Sequence, residues 1–309
     1  MNMIGKNNAY WFLILNAVLW GSSYIWSKIL LDHLPRFTIL FLYFFGGMLL
    51  LGAFYRRRIR LIRRKTTAIG IVAGFMSILS NIFCMLALGN TSSSNTAFIV
   101  QLSVVITPLI MAVAERKLPQ TGTVAGSLTA LAGLILLTFN FDNHSFSIGD
   151  IYALANAIFF SLYLAYLKIY TGDADPAQLV FIQHVTGMIA FLSLAVIFES
   201  EKVAKIDFDF KVAAVLLVSI IISVLTILIQ SSAIKYVRAE NATVIYTLEP
   251  VAAAVFAYLL IGEKLTGATA YTGCALILAA ICLSIIKKPA RVKSKIVRVI
   301  YRSGQSKAS

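Results

Sequence analysis

The sequence predicts an all-α integral membrane protein of about ten transmembrane helices, arranged as two inverted five-helix repeats. Three observations carry this. The 309 residues are 59% hydrophobic and only 13% charged, with a mean hydropathy of +0.85, whereas a soluble domain carries about 25% charged residues. Apolar runs near the roughly 20 residues that cross a bilayer recur along the chain, joined by short connections. Lipid offers no partner for a free backbone N–H or C=O, so runs joined this closely span as helices. The two halves also align on polar residues. "LNAVLWGSSYIWSKI" (15–29) matches "ANAIFFSLYLAYLKI" (155–169), which pairs Asn16 with Asn156, Trp20 with Phe160 and Lys28 with Lys168. Farther on, Ser77 meets Ser223, Ser80 meets Thr226 and Asn95 meets Asn241. Five spans per half is an odd number, so the second copy enters from the opposite side.

The spans run in order along the chain. Span 1 covers 11–31. It is too long for a signal-peptide core and lacks a small-residue cleavage site. Asn16, Trp20, Ser23 and Ser27 are spaced i, i+4, i+7, i+11 and share one face of it. Span 2 (37–55) carries Tyr43 and stops at the basic run "RRRIRLIRRK" (56–65). Span 3 (67–89) repeats the spacing of span 1 through Gly70, Gly74, Ser77 and Asn81. Span 4 (92–114) holds Gln101 and Ser103 and ends at Arg116 and Lys117, and span 5 (121–140) closes the first half. Span 6 (149–170) presents Asn156, Phe160 and Tyr163 as a mixed amide and aromatic face. Span 7 (176–198) contains Gln183 and His184, the latter expected as an interhelical hydrogen-bond donor. Span 8 (211–236) repeats the polar stripe with Ser219, Ser223, Thr226 and Gln230. Span 9 (239–261) holds Glu249 directly before Pro250, and span 10 (267–286) precedes a basic tail. The expected division is 1–141 for the first repeat, 149–286 for the second and 287–309 for the tail. In that tail Val292, Ile296 and Ile300 recur every four residues, a pattern suited to a helix lying on a leaflet. Cys84, Cys274 and Cys282 lie in apolar runs and are expected as small core residues, not disulfides or metal ligands.

The net charge of +14 could suggest a nucleic-acid partner. Position argues otherwise. With the N-terminus cytoplasmic, most basic residues fall on the inner side: Lys6, the 56–65 run, Arg116, Lys117, Lys168, Lys235, Arg238 and the tail. That is the positive-inside bias, with both termini cytoplasmic in a cell inner (plasma) membrane. The basic loop and tail are then expected to meet anionic lipid headgroups.

"LWGSSYIWSKILLDHLP" (19–35) and "ILIQSSAIKYVRAENATVIYTLEPVAAAVFAYLLIGEKLT" with "GCALILAAICLSII" (227–286) resemble the opening and closing spans of EamA-type members of the drug/metabolite transporter superfamily. The resemblance covers nearly the whole chain. It implies a carrier with two inverted five-helix repeats and a central cavity lined mainly by spans 1, 3, 4, 6, 8 and 9. Many members carry an arginine early in span 2, where this chain has Tyr43, so whatever that arginine does elsewhere does not transfer.

Candidates for substrate binding or ion coupling are Glu249, Tyr246, Asn16, Trp20, Asn81, Gln101, Ser103, Asn156, Tyr163 and Gln230. Small and polar stripes also serve helix packing, so the Gly and Ser members are expected to pack helices. Glu249 is the sharpest candidate. It sits halfway along its span, where an ionised acid costs about 3 kcal/mol and cannot snorkel to water. Pro250 lacks an N–H, which frees a carbonyl around Tyr246, and locally opened midplane helices are where carriers place substrate and ion contacts. Its repeat partner is Ser103, so the acid has no twin. Three roles stay open: pinning of neighbouring helices, proton or cation coupling, and contact with a substrate amine.

The expected function is secondary transport of small organic solutes, amino acids or related metabolites, in the direction of export and by alternating access. The competing reading is a multidrug carrier for lipophilic cations, supported by Trp20, Tyr24, Trp26 and Tyr246 around one acid. An enzyme is not expected. His33 and His144 lie in loops, and no carboxylate or histidine cluster shows metal-ligand spacing. No Gly-rich phosphate loop appears, so neither cofactor nor ATP drive is expected. The oligomeric state is left open by the sequence.

Overall fold

A computed structural model describes residues 4–5, 7–91, 93–138, 147–172, 174–203, 209–261 and 268–286. These residues form thirteen helices. The first repeat contributes α1 (Ala9–Leu31), α2 (Arg36–Phe54), α3 (Arg56–Ile59), α4 (Arg64–Leu88), α5 (Ser93–Val100), α6 (Ser103–Glu115) and α7 (Thr121–Thr138). The second contributes α8 (Ile148–Tyr170), α9 (Pro176–Val203), α10 (Phe210–Ala233), α11 (Ala239–Tyr246), α12 (Leu248–Ile261) and α13 (Ala268–Ile286). Six stretches are each long and apolar enough to cross a membrane: Arg36–Phe54, Arg64–Leu88, Thr96–Glu115, Ile148–Tyr170, Pro176–Lys202 and Phe210–Ala233. Large apolar side chains such as Phe75, Leu109, Val113, Leu217 and Leu225 are exposed on their outer faces, as a lipid-facing surface requires. The basic tail, His144 and the side chain of Asn95 lie outside the described residues.

Spans 4 and 9 are each two helices, not one. Span 4 breaks at Gln101–Leu102, between α5 and α6, and span 9 breaks at Thr247, between α11 and α12. In the repeat alignment that pairs Ser77 with Ser223, Gln101 falls on Thr247, so the two breaks are equivalent. Pro250 lies in the first turn of α12, where a missing N–H costs least because first-turn donors have no intrahelical partner. The opening expected near Tyr246 is therefore a break one residue on. The Thr247 hydroxyl donates to the Val244 carbonyl at 2.6 Å, which satisfies one acceptor left at the end of α11.

Packing carries the two-fold relation of the repeats. α1 packs along α10, and its equivalent α8 packs along α4, the equivalent of α10; α2 packs on α9, and α7 on α13. Glycines set the closest crossings. A Cβ on Gly133 would stand 2.8 Å from the Gly273 carbonyl oxygen, and one on Gly273 2.6 Å from that of Gly133. Gly70 and Gly74 of α4 abut Ile182 and Thr186 of α9, the helix-packing role that small residues have in membranes.

Polar contacts divide the two ends of the bundle. At one end Arg58 meets Asp175 at 3.4 Å and Arg238 meets Glu240 at 2.6 Å and Glu115 at 3.9 Å. There Lys168 Nζ donates to the carbonyls of Ile234 and Lys235, both at 3.0 Å, and Lys235 donates to that of Ala174. This end gathers the basic 56–65 run, Arg116 and Lys117. At the far end Glu199 of α9 accepts from the N–H groups of Phe37 and Thr38 at the start of α2, at 3.0 and 2.8 Å, and Gly89 packs on the Arg36 guanidinium.

Candidate functional site

Between the two repeats lies a cavity of about 180 Å³. Its walls are the faces that helical spacing selects. α1 supplies Trp20, Ser23, Tyr24 and Ser27; α4 supplies Ser77, Ser80, Asn81 and Cys84; α8 supplies Asn156, Phe160 and Tyr163; α10 supplies Ser219, Ser223, Thr226 and Gln230. The repeat-equivalent pairs Ser77 with Ser223 and Ser80 with Thr226 both face it. Gln101 enters from one break and Glu249 from just past the other, while Leu40 and Tyr43 of α2 complete the wall. No Lys, Arg or His is among the described lining residues, and Glu249 is the one carboxylate.

The cavity runs from Glu249 and Gln230 toward the far end, where Ser27, Leu40 and Leu88 border it. Toward the basic end it meets an aromatic floor. The Trp20 ring stacks edge-on against Phe160 (centroids 5.6 Å apart) and tilts against Tyr246 at 5.1 Å. Beneath, Asn16 Nδ2 donates to the Tyr246 hydroxyl at 3.4 Å, and every residue of α11 is buried.

Glu249 is 7% exposed. Gln101 Nε2 donates to its Oε2 at 2.7 Å, and the Tyr24 hydroxyl also interacts with the carboxylate. The acid lies in the first turn of α12, where unpaired N–H groups and the helix dipole favour negative charge. The break in span 9 therefore supplies part of the acid's stabilisation, and the Gln101 bond ties the two breaks together. Gly21 lets α1 approach this point: a Cβ there would stand 2.6 Å from the Glu249 carbonyl oxygen.

Seven of the ten candidate residues reach the cavity wall: Glu249, Gln101, Trp20, Asn81, Asn156, Tyr163 and Gln230. Tyr246 belongs to the aromatic floor, and Asn16 supports it through the Tyr246 hydroxyl; neither is part of the wall. Ser103 is fully buried and is not part of the wall. The lining amides are partly committed to the fold. Asn81 Nδ2 donates to the Ser77 carbonyl one turn back at 2.8 Å. Asn156 Nδ2 donates to the carbonyl and hydroxyl oxygens of Ser80 at 2.6 and 3.0 Å, joining α8 to α4. The Tyr163 hydroxyl donates to Gln183 Oε1 at 2.9 Å. His184 corrects an expectation. Its Nδ1 contacts the Val180 carbonyl of its own helix at 2.8 Å, and its ring fills the space left by Gly47 on α2, so it packs helices instead of bonding between them. The cysteines differ from one another: Cys84 lines the cavity, Cys274 is half-buried and Cys282 is exposed, all as free thiols.

The profile of the EamA-like transporter family matches the chain twice, over residues 7–139 and 147–286. The chain belongs to the EamA-like transporter family. An uncharacterized transporter from Archaeoglobus fulgidus is 27% identical over 274 residues, which cover 88% of this chain and 84% of that protein. A crystal structure 17% identical in sequence superposes with a TM-score of 0.76, covering 90% of this chain and 98% of the other; at that identity the likeness shows the fold. Among the cavity residues of this EamA-family transporter, sequence reasoning left Tyr24, Ser80, Tyr43 and Cys84 off the candidate set. Tyr24 stands four residues after Trp20, and Cys84 seven after Ser77, so helical spacing was the available signal. Tyr43 lies with its hydroxyl 3.5 Å from Ser27 Oγ; no spacing within span 2 pointed there.

Proposed function

We propose that the protein moves small organic solutes, amino acids or metabolites derived from them, across the cytoplasmic membrane by alternating access, with export as the working direction. The observation that supports this is a polar cavity between inverted repeats, bordered by Ser27, Leu40 and Leu88 toward one end and sealed at the other. The seal consists of the aromatic floor, the buried α11 and the Lys168 and Arg238 contacts. On this reading the far end is outside, the basic end is cytoplasmic, and exposed Arg56, Arg57, Arg60 and Arg63 meet anionic headgroups.

Repeat symmetry supplies the opposite state. Lys168 holds the carbonyls of Ile234 and Lys235 here. Its equivalent Lys28 is exposed, and the equivalents of those carbonyls are Leu88 and Gly89. In the inward-open state Lys28 takes up Leu88 and Gly89 while Lys168 releases its partners. The multidrug alternative fits less well, since about 180 Å³ lies below the roughly 300–1,000 Å³ of drug-sized sites.

Cysteine pairs in a background lacking native cysteines test the cycle. Glu115→Cys with Arg238→Cys should crosslink with the cytoplasmic end closed, and Lys28→Cys with Gly89→Cys with the outer end closed. Either crosslink should abolish solute flux in proteoliposomes. Flux at the uncrosslinked rate with either pair joined rules out rocking of this kind.

A further inference from the structure

The charge pattern of the cavity points to a narrower class of solute. Glu249 is the sole ionisable acid among the lining residues, and the described wall offers no basic side chain. Its side-chain partners, Gln101 and the Tyr24 hydroxyl, are neutral, so no basic side chain among the described lining residues balances an ionised Glu249. The rings of Trp20, Tyr24 and Phe160 line the same space, and ring faces attract cations, most strongly where water is excluded. A carboxylate with aromatic faces beside it recognises an ammonium group. A solute carboxylate, by contrast, would meet hydroxyls, amides and the like charge of Glu249.

From this pattern we propose that the cavity binds a small monoamine, with its ammonium group on Glu249, its apolar body against Trp20 and Phe160, and no carboxylate. The proposal rests on the carrier reading and sharpens it: among amino-acid-related metabolites it selects amines that have lost the acid group over the amino acids themselves. Gln230 suits this assignment. It lines the cavity beside the Tyr246 hydroxyl, and its neutral amide offers a polar contact to the solute body but no charge for an anion.

The test compares phenethylamine, phenylalanine, phenylacetate and 2-phenylethanol, which share a ring and differ in charge, against the purified full-length protein by calorimetry and thermal shift. Phenethylamine should bind at least about tenfold more tightly than the other three, since a charge-assisted bond is roughly twice as strong as a neutral one. Glu249→Gln should remove that preference while the protein still elutes and melts as a folded species. If Glu249→Gln does not fold, Glu249→Asp should keep the preference with lower affinity. Equal or tighter binding of phenylalanine or phenylacetate overturns the assignment, as does unchanged phenethylamine binding by Glu249→Gln. Absence of binding by phenethylamine and by a set of aliphatic monoamines overturns it too. Flux separates this outcome from the carrier reading. Uptake of labelled phenylalanine without amine binding keeps the carrier and sinks the amine class. Amine binding without movement of any of the four solutes keeps the site and sinks the carrier.

Discussion

Glu249 shows how one side chain can be read from sequence and still need structure to be understood. Its cost in an apolar span marked it, but the partners that make it tolerable come from far away: Gln101 lies 148 residues earlier, and no pattern links the two. Gln101 was a candidate because an amide in a membrane span is costly; its aim at the acid is set by the break that ends α5 beside it. Ser103, the repeat equivalent of Glu249, is buried outside the wall. Replacing Gln101 with Leu should lower stability by about 1–3 kcal/mol, because the carboxylate loses a buried donor. A thermal unfolding series in detergent checks this, with Ser27→Ala as a control at the half-buried outer part of the cavity. A melting temperature unchanged by Gln101→Leu would mean that the bond contributes nothing to the fold.

At the scale of elements, helical periodicity was the most legible feature. Much of the stripes on spans 1, 3, 6 and 8 became the cavity walls, because polar side chains avoid lipid and gather inward, while Gly70 and Gly74 of span 3 pack on α9. The breaks were half legible. Pro250 announced one, while its counterpart at Gln101–Leu102 has no proline beside it and emerges only when the repeats are superposed. The pocket of His184 was illegible, because it is made by a missing side chain, that of Gly47, on another helix. The approach of α1 to the second break depends on Gly21 in the same way. Gly21→Val should separate α1 from α12, with a stability loss of about 1–3 kcal/mol for overpacking and weaker solute binding. Gly5→Val, where nothing lies within 4 Å, should leave both unchanged. Comparable melting curves and solute affinities for the two variants would reject the close-approach role.

Across the whole molecule, alignment of a few polar residues was enough to indicate the inverted repeat, because both halves keep the same cavity-facing positions. The basic connections do share one end of the bundle, as the distribution of Lys and Arg implied, although which side of a membrane that end faces is read from the positive-inside rule. Accessibility to an impermeant thiol reagent decides it. In a background without native cysteines, Arg60→Cys should stay unlabelled in intact cells and His33→Cys should label. The reverse pattern, or labelling of both, would invert or discard the proposed sidedness.

A single carboxylate with no basic side chain among the described cavity residues also has an electrical consequence. Loaded with one monovalent cation, the centre of the protein is neutral; emptied, it carries a full negative charge or a proton in the cation's place. A bare carboxylate crossing the membrane field experiences about 2.3 kcal/mol per 100 mV, so the return half of the cycle then responds to voltage, while a proton carried back makes that half electrically silent and turns the carrier into an exchanger. The absence of a twin for Glu249 in the first repeat limits either scheme to one such charge per turnover.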